Sequence, residues 1–282
     1  MTKRRKVDKL ITAVPGRWKF DGQVAENFDS HVRKSVPLYE EVQSMVVDMS
    51  EWFVAEGSTV YDIGSSTGET IALLMEKHSG KKTVRFIGIE SSAAMIPRAR
   101  AKCRGRNVRF VNKDVMDVPR LAGADFVYSL YTIQFLPLKH RTKLLSRIHR
   151  DLSEGGVFLV VEKIRAEAPA TEDMWLELYW DFKSGRGLTD DMILQKARSL
   201  RGVLFPLTLG ENVRLLEEAG FANIEVFFKW FNFAGLIALK PAAGAGRDEP
   251  GKKTRAAGSA KAGRAPRAPR KEPNPKRTRE TR

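Results

Sequence analysis

The sequence predicts an α/β protein: a mostly parallel sheet with helices on both faces. Two observations carry this. From residue 57 onward, short apolar runs of strand length alternate with helical patterns, the rhythm of strand–helix–strand crossovers and a parallel sheet. The first apolar run also ends in an acidic residue, Asp62, and enters a turn of small residues from which a helix starts (V-Y-D-I-G-S-S-T-G-E-T, residues 60–70). In open sheets of this kind a ligand lies outside the carboxyl ends of the strands, where the strand order reverses.

Residues 10–55 read as largely helical. Val42, Met45, Val46, Met49, Trp52 and Phe53 recur at three- and four-residue steps, an amphipathic stripe, and Pro37 separates two helical segments. Strands are expected at 58–63, 84–89, 107–112, 124–131 and 157–162, with helices at 67–78, 92–102 and 138–152. Gly155-Gly156 is expected to end the last of these helices. Residues 171–200 read as inserted helices. A helix at 211–219, closed by Gly220, precedes strands 223–229 and 233–239, whose short connection W-F-N-F suits an antiparallel final pair. The sheet is thus expected to have seven strands.

Composition bounds the setting. The chain has 282 residues, 42% of them hydrophobic, enough for one sizeable domain. A single cysteine, Cys103, excludes an internal disulfide and fits a reducing, cytoplasmic compartment. Its basic surroundings, A-K-C-R-G-R, read as a surface position. The four histidines form no metal-ligand spacing with it, so no metal is expected. No apolar run of membrane-spanning length occurs, and no membrane association is expected.

The net charge of +15 sits at the ends. Residues 241–282 carry +9 and residues 1–9 carry +4; the total less these leaves +2 for the body. Three regions follow: a basic N-terminal extension (1–12), a ligand-binding domain (13–240), and a basic tail (241–282) expected to be disordered, because it holds no aromatic and few large apolar residues. The tail suits nucleic acid phosphates or simple solubility equally well, since no aromatic is interleaved for base stacking.

The loop at 62–68 narrows the ligand. A phosphate-binding P-loop needs Lys after its second glycine, and Glu69 stands there. A dinucleotide loop needs G-x-G-x-x-G; here the spacing is G-x-x-x-G behind Asp62. That form is closer to the first motif of class I S-adenosylmethionine (SAM) dependent methyltransferases. Gly64 and Gly68 allow close backbone approach. Ser65 and its neighbours place amides before a helix N-terminus, which suits an anion. Glu90, ending the next strand with Ser91 behind it, can accept ribose hydroxyls. Asp114, past a third strand, suits either an adenine amino group or the capping of its own loop.

The segment W-K-F-D-G-Q-V-A-E-N-F-D-S-H-V-R-K-S-V-P-L-Y then resembles the opening of the carboxy-SAM synthase family. The likeness continues through V-Y-D-I-G-S-S-T-G, T-I-Q-F-L, L-S-E-G-G-V-F-L-V-V-E-K, W-D-F-K, Q-K-A-R-S-L and F-N-F-A-G-L-I-A-L-K, covering about residues 14–240. It implies a Rossmann-like class I methyltransferase fold with N-terminal helices and a helical insertion before the last strands. It implies SAM, or a SAM derivative, as ligand and a connection to tRNA wobble-uridine modification. Position by position it implies Tyr39 at the methionine end, Gly64 against the ligand, Glu90 on the ribose, and Asp114 with Val115 around the adenine. The candidate ligand residues are therefore Tyr39, Asp62, Gly64, Ser65, Gly68, Glu90, Ser91, Asp114, Val115 and Leu130.

Two departures stand out. Leu130 replaces the family's Asn late in the fourth strand. Ala197 replaces the Arg that, in the family, pairs with the carboxylate distinguishing carboxy-SAM from SAM; Arg198 and Arg201 lie nearby. Methyl transfer from SAM is therefore the leading expectation, since it needs positioning more than acid–base groups. Carboxy-SAM synthesis from SAM and prephenate is the second, and a non-catalytic module tethered to nucleic acid the third. Tyr131 and Gln134 lie where an acceptor would approach. The aromatic cluster Trp175, Tyr179, Trp180 and Phe182 is read first as core packing, with an acceptor pocket or a homodimer contact as alternatives.

Overall fold

The computed structural model describes residues 3–105 and 107–241; the tail from residue 242 lies outside them. A small hairpin, β1 (Arg5–Lys6) with β2 (Thr12–Ala13), opens the chain. Helices α1 (Gly22–Ser35) and α2 (Tyr39–Met49) follow, then β3 (Thr59–Ile63), α3 (Glu69–Lys77), β4 (Arg85–Glu90), α4 (Ile96–Lys102), β5 (Val108–Asn112), β6 (Ala124–Leu130), α5 (Leu138–Asp151) and β7 (Leu152–Arg165). The inserted helices are α6 (Pro169–Gly185) and α7 (Asp190–Ser199). The chain closes with β8 (Leu207–Thr208), α8 (Leu209–Glu218), β9 (Ala222–Trp230) and β10 (Phe233–Leu239).

Seven strands form the sheet in the order β5-β4-β3-β6-β7-β10-β9, and the two-residue β8 pairs with β7 as an eighth. The pairs from β5 to β7 are parallel; β10 runs antiparallel to both β7 and β9. The chain leaves β3 toward β4 and β5, then returns to lay β6 on the free edge of β3. The crevice between β3 and β6 is thus the switch point.

Strand alternation divides the core between the two faces. On one, Tyr61, Ile63, Val127 and Phe158 pack with Leu144, Leu145 and Ile148 of α5 and Leu216 of α8. On the other, Val60, Phe126, Tyr128 and Leu159 pack with Val46 of α2, Ile71 and Leu74 of α3, and Ile96 and Ala99 of α4. β3 is buried along its whole length, as the central strand of a sheet covered on both faces must be. Among the described residues, no helix is long and apolar enough to cross a membrane.

Several local expectations are corrected. Cys103 is buried rather than on the surface: it caps α4 against α3, its thiol 3.6 Å from the Gly68 carbonyl. α5 stops at Asp151 and β7 starts at Leu152, so Gly155-Gly156 lies inside a strand instead of ending a helix. The segment read as a basic extension contains the hairpin, which buries Val7, Ile11 and Ala13 against Trp18, Val24 and Met95. Its apolar residues alternate with charge too briefly for the sequence to announce them.

Candidate functional site

A cavity of about 460 Å³ opens at the switch point, within the size range of small-molecule sites. One part of its wall is the carboxyl ends of β3, β4 and β5 with the loops that follow; the other comes from the end of β6, from β7, and from α1, α6 and α7.

Asp62, the fourth residue of β3, is 4% exposed. Burial pushes its carboxyl up to about 8; the Tyr128 hydroxyl draws it down, and the Glu90 charge adds to the rise. Glu90, at the end of β4, is also raised by burial, against the amides that it accepts. The Ser66 amide donates to its Oε2 at 2.8 Å and the Ser92 amide to its Oε1 at 2.7 Å. Each carboxylate oxygen retains further lone-pair capacity. Asp114 caps the turn after β5 by accepting from the Met116 amide at 2.8 Å, and it also lines the cavity.

The glycine loop differs from an anion cradle. The Gly64 and Ser65 amides both donate to the Ile89 carbonyl, the Ser66 amide to Glu90, and the Gly68 amide to the Ser65 carbonyl. The loop spends these donors on itself and on β4. Gly64 (φ 82°) is demanded by Thr132, whose Oγ1 would stand 2.1 Å from a Cβ there. Gly68 stands apart from the cavity: at φ 77° it caps α3, and a Cβ would come within 3.0 Å of Ala99. The other nine candidates line the cavity.

The loop after β6 is held from below. Glu162 accepts the amides of Ile133 at 3.0 Å and Gln134 at 2.8 Å, and burial pushes its carboxyl up to about 8. Arg141, 2% exposed, donates to the carbonyls of Leu136, Gln134 and Phe205. These contacts hold Tyr131 in the left-handed region (φ 57°), its ring 5.9 Å from that of Tyr39. Ser66 (φ 48°) is a second non-glycine residue held so at the cavity. Strained backbone of this kind costs on the order of 1–3 kcal/mol per residue and gathers at functional sites. The hydroxyls of Ser65 and Tyr131 are buried without a partner among the described residues.

The other wall carries three lysines that sequence reasoning did not single out. Lys163 follows Glu162 on β7, Lys183 lies on α6 and Lys196 on α7; all three line the cavity. Burial pulls Lys163 down to about 8, with Glu172 acting the other way. It also lowers Lys183, with help from the Lys163 charge, and Lys196, with help from Lys183 and against Asp8. Their Nζ atoms rest on aromatic faces: Lys163 and Lys183 lie 4.7 and 3.9 Å from the Tyr179 ring centre, Lys196 2.7 Å from that of Trp18. Tyr179 and Trp180 line the cavity while packing the core, so the aromatic cluster serves both purposes. Ala197 lines it too. The lysines lie on three separate elements, and no motif links them.

Residues 60–156 match a methyltransferase domain family. The carboxy-S-adenosyl-L-methionine synthase of Staphylococcus epidermidis is 38% identical over 227 residues, covering 80% of this chain and 98% of its own length. That of Nautilia profundicola is 38% identical over 237 residues, covering 83% and 99%. An O-methyltransferase family protein from Burkholderia thailandensis superposes with a TM-score of 0.57 at 16% identity, over 79% of this chain and 61% of that one, a likeness of fold alone. On a methyltransferase fold, with likeness spanning nearly the full length of these relatives, this chain belongs to the carboxy-S-adenosyl-L-methionine synthase family.

Proposed function

We propose that this SAM-dependent transferase binds SAM along the carboxyl ends of β3, β4 and β5 and takes an anionic carboxyl donor on its lysines, making carboxy-SAM. The observation that carries this is the convergence of Lys163, Lys183 and Lys196 on the cavity that Asp62 and Glu90 also line. Three buried ammonium groups disfavour one another's charge. A neutral methyl acceptor needs none of them; a dicarboxylate such as prephenate needs cations on both of its ends.

The residues fit SAM. The spare lone pairs of Glu90 suit ribose hydroxyls, Asp114 and Val115 suit the adenine, and the unpartnered Ser65 and Tyr131 hydroxyls await polar partners. Asp62 ionises when a ligand ammonium approaches, since an opposite charge reverses the effect of burial. When bound, SAM supplies a sulfonium that makes its methyl carbon electrophilic and its C–H protons acidic. The lysines hold the carboxylates of the donor, and Phe20, Tyr131 and Tyr179 exclude water around them.

A second reading, methyl transfer to an unidentified acceptor, is supported by Ala197 standing where the family has Arg. Mass spectrometry after incubation with SAM and prephenate tests the choice. A product heavier than SAM by one carbon dioxide supports synthesis. Its absence, with S-adenosylhomocysteine still bound, leaves methyl transfer.

The charge of residues 242–282 supports a contact with nucleic acid, which accords with work in tRNA modification in the cytoplasm. A gel shift comparing the full chain with one ending at residue 241 tests it: an unchanged affinity and salt slope would remove the proposal.

A further inference from the structure

A chain of buried hydrogen bonds enters the same cavity from the N-terminal side. Asp8, in the turn between β1 and β2, is 4% exposed. His31 and Ser35 are four residues apart on α1, one turn above the other. His31 Nδ1 lies 2.8 Å from Asp8 Oδ2, and Ser35 Oγ lies 3.3 Å from His31 Nε2. The other Asp8 oxygen accepts the Lys9 amide at 2.6 Å and the Lys34 ammonium at 3.4 Å. A carboxylate on Nδ1 keeps that nitrogen protonated and leaves Nε2 facing the Ser35 hydroxyl. His31 and Ser35 both line the cavity, in the wall that also holds Lys183, Lys196 and Tyr179. The Tyr179 hydroxyl donates to the Ser35 carbonyl at 2.7 Å, and Trp18 stacks on the imidazole at 5.9 Å.

We propose that Asp8, His31 and Ser35 form a proton relay that is charged when an anionic co-substrate binds the lysines and that delivers its proton to the departing oxygen of that co-substrate. The proposal rests on the carboxyl-donor reading above. His31 is neutral in the free protein, where burial pulls it down to about 4. Lys196 and Lys183 push the same way, and Asp8 acts against them. The charged groups facing it are therefore Asp8 from the hairpin, Lys183 from α6 and Lys196 from α7, with Lys34 behind Asp8. An anion held on the two lysines offsets their effect, and His31 takes up a proton at Nε2.

With a donor of the prephenate class the electrons and protons then balance. The carbon–carbon bond to the departing carboxyl group breaks, and its pair fills the ring as the carbon–oxygen bond breaks. The pair of that second bond stays on oxygen. Ser35 gives its proton to this oxygen and is reprotonated from His31 Nε2. The oxygen leaves as water and the carboxyl group as carbon dioxide; the neutral imidazole, through Ser35, then takes a proton from the SAM methyl, whose carbon bonds to the carbon dioxide, so that carboxy-SAM is complete and the relay is charged again. Asp8 is the positioning residue that keeps the ring in register and stabilises the imidazolium.

The test is long-range proton–nitrogen NMR on the full chain saturated with S-adenosylhomocysteine, over pH 4–8, with and without prephenate. The His31 signals are assigned by their loss in His31→Gln. Prephenate is expected to raise the His31 titration midpoint by about one pH unit or more. Ser35→Ala is expected to preserve that rise while lowering kcat about 10²-fold, with the KM for SAM within about twofold. Asp8→Asn should reduce the rise; if that variant does not fold, His31→Gln still reports through the loss of the alkaline limb of the pH–rate profile. Prephenate that binds by calorimetry yet leaves the His31 midpoint unmoved overturns the relay alone. Prephenate that does not bind overturns the carboxyl-donor reading, and the relay with it.

Discussion

Along β3, β4 and β5 the cavity wall is made of strand ends and the loops that follow them, and its carboxylates, Asp62, Glu90 and Asp114, sit at or just past the ends of strands. Along α1, α6 and α7 the wall is long side chains, and its cations come from elements far apart in sequence. The first wall is made by strand geometry: a parallel sheet brings successive strand ends to one edge. The second is made by packing: Lys183 and Lys196 come together because α6 and α7 fold over the crevice. The acidic wall holds the nucleoside in our proposal and the basic wall selects the co-substrate.

The comparison breaks first on substitutions that separate the walls. Glu90→Ala is expected to weaken S-adenosylhomocysteine binding about 10²-fold by calorimetry, the scale of losing charge-assisted hydrogen bonds. Lys183→Ala and Lys196→Ala should leave that affinity within about threefold and lower kcat/KM for prephenate about 10²-fold. Equal losses of nucleoside affinity in both kinds of variant would show that the walls do not act separately.

Stability against pH sharpens it next. Asp62 and Glu162 hold protons in the folded state up to about pH 8, whereas the unfolded chain loses them near pH 4. The folded state therefore binds more protons between these values, and the stability that this contributes falls as pH rises from 4 to 8. Between pH 5 and 8 the urea midpoint of the ligand-free protein should drop. Asp62→Asn should remove a share of that drop worth roughly 2–4 kcal/mol.

Gly64→Ala should destabilise by roughly 2–4 kcal/mol, from the left-handed backbone and the Thr132 clash together. Thr132→Ala in the same chain should recover only part of this in a denaturant titration. The smallest effect is expected from Ala197→Arg. If the three lysines already supply the positive charge, restoring the family's guanidinium should change the prephenate KM by less than about threefold. A gain of tenfold or more would mean that Ala197 leaves the basic wall incomplete.

How much of this was legible follows the same division. The strand–turn–helix at 60–70, the acidic residue at 90 and the alternating elements are local patterns, and nine of the ten candidate residues do line the cavity. Gly68 lies apart from the cavity as the cap of α3; in sequence a positive-φ cap and a close ligand approach demand the same residue. The loop amides, which by position suit an anion, are taken up by Ile89 and Glu90, acceptors that lie on a different strand. Cys103 was misread because its charged neighbours in sequence are not its neighbours in space.

The α/β alternation, the position of the switch-point loop and the acidic wall follow from local sequence, because period and strand length act within a few residues. Folding in three dimensions is what brings Lys163, Lys183 and Lys196 to one cavity, Asp8 to His31 across 23 positions, and Thr132 into the space at Gly64. These contacts depend on how helices cross the sheet, which is a property of the packed core and of no single segment.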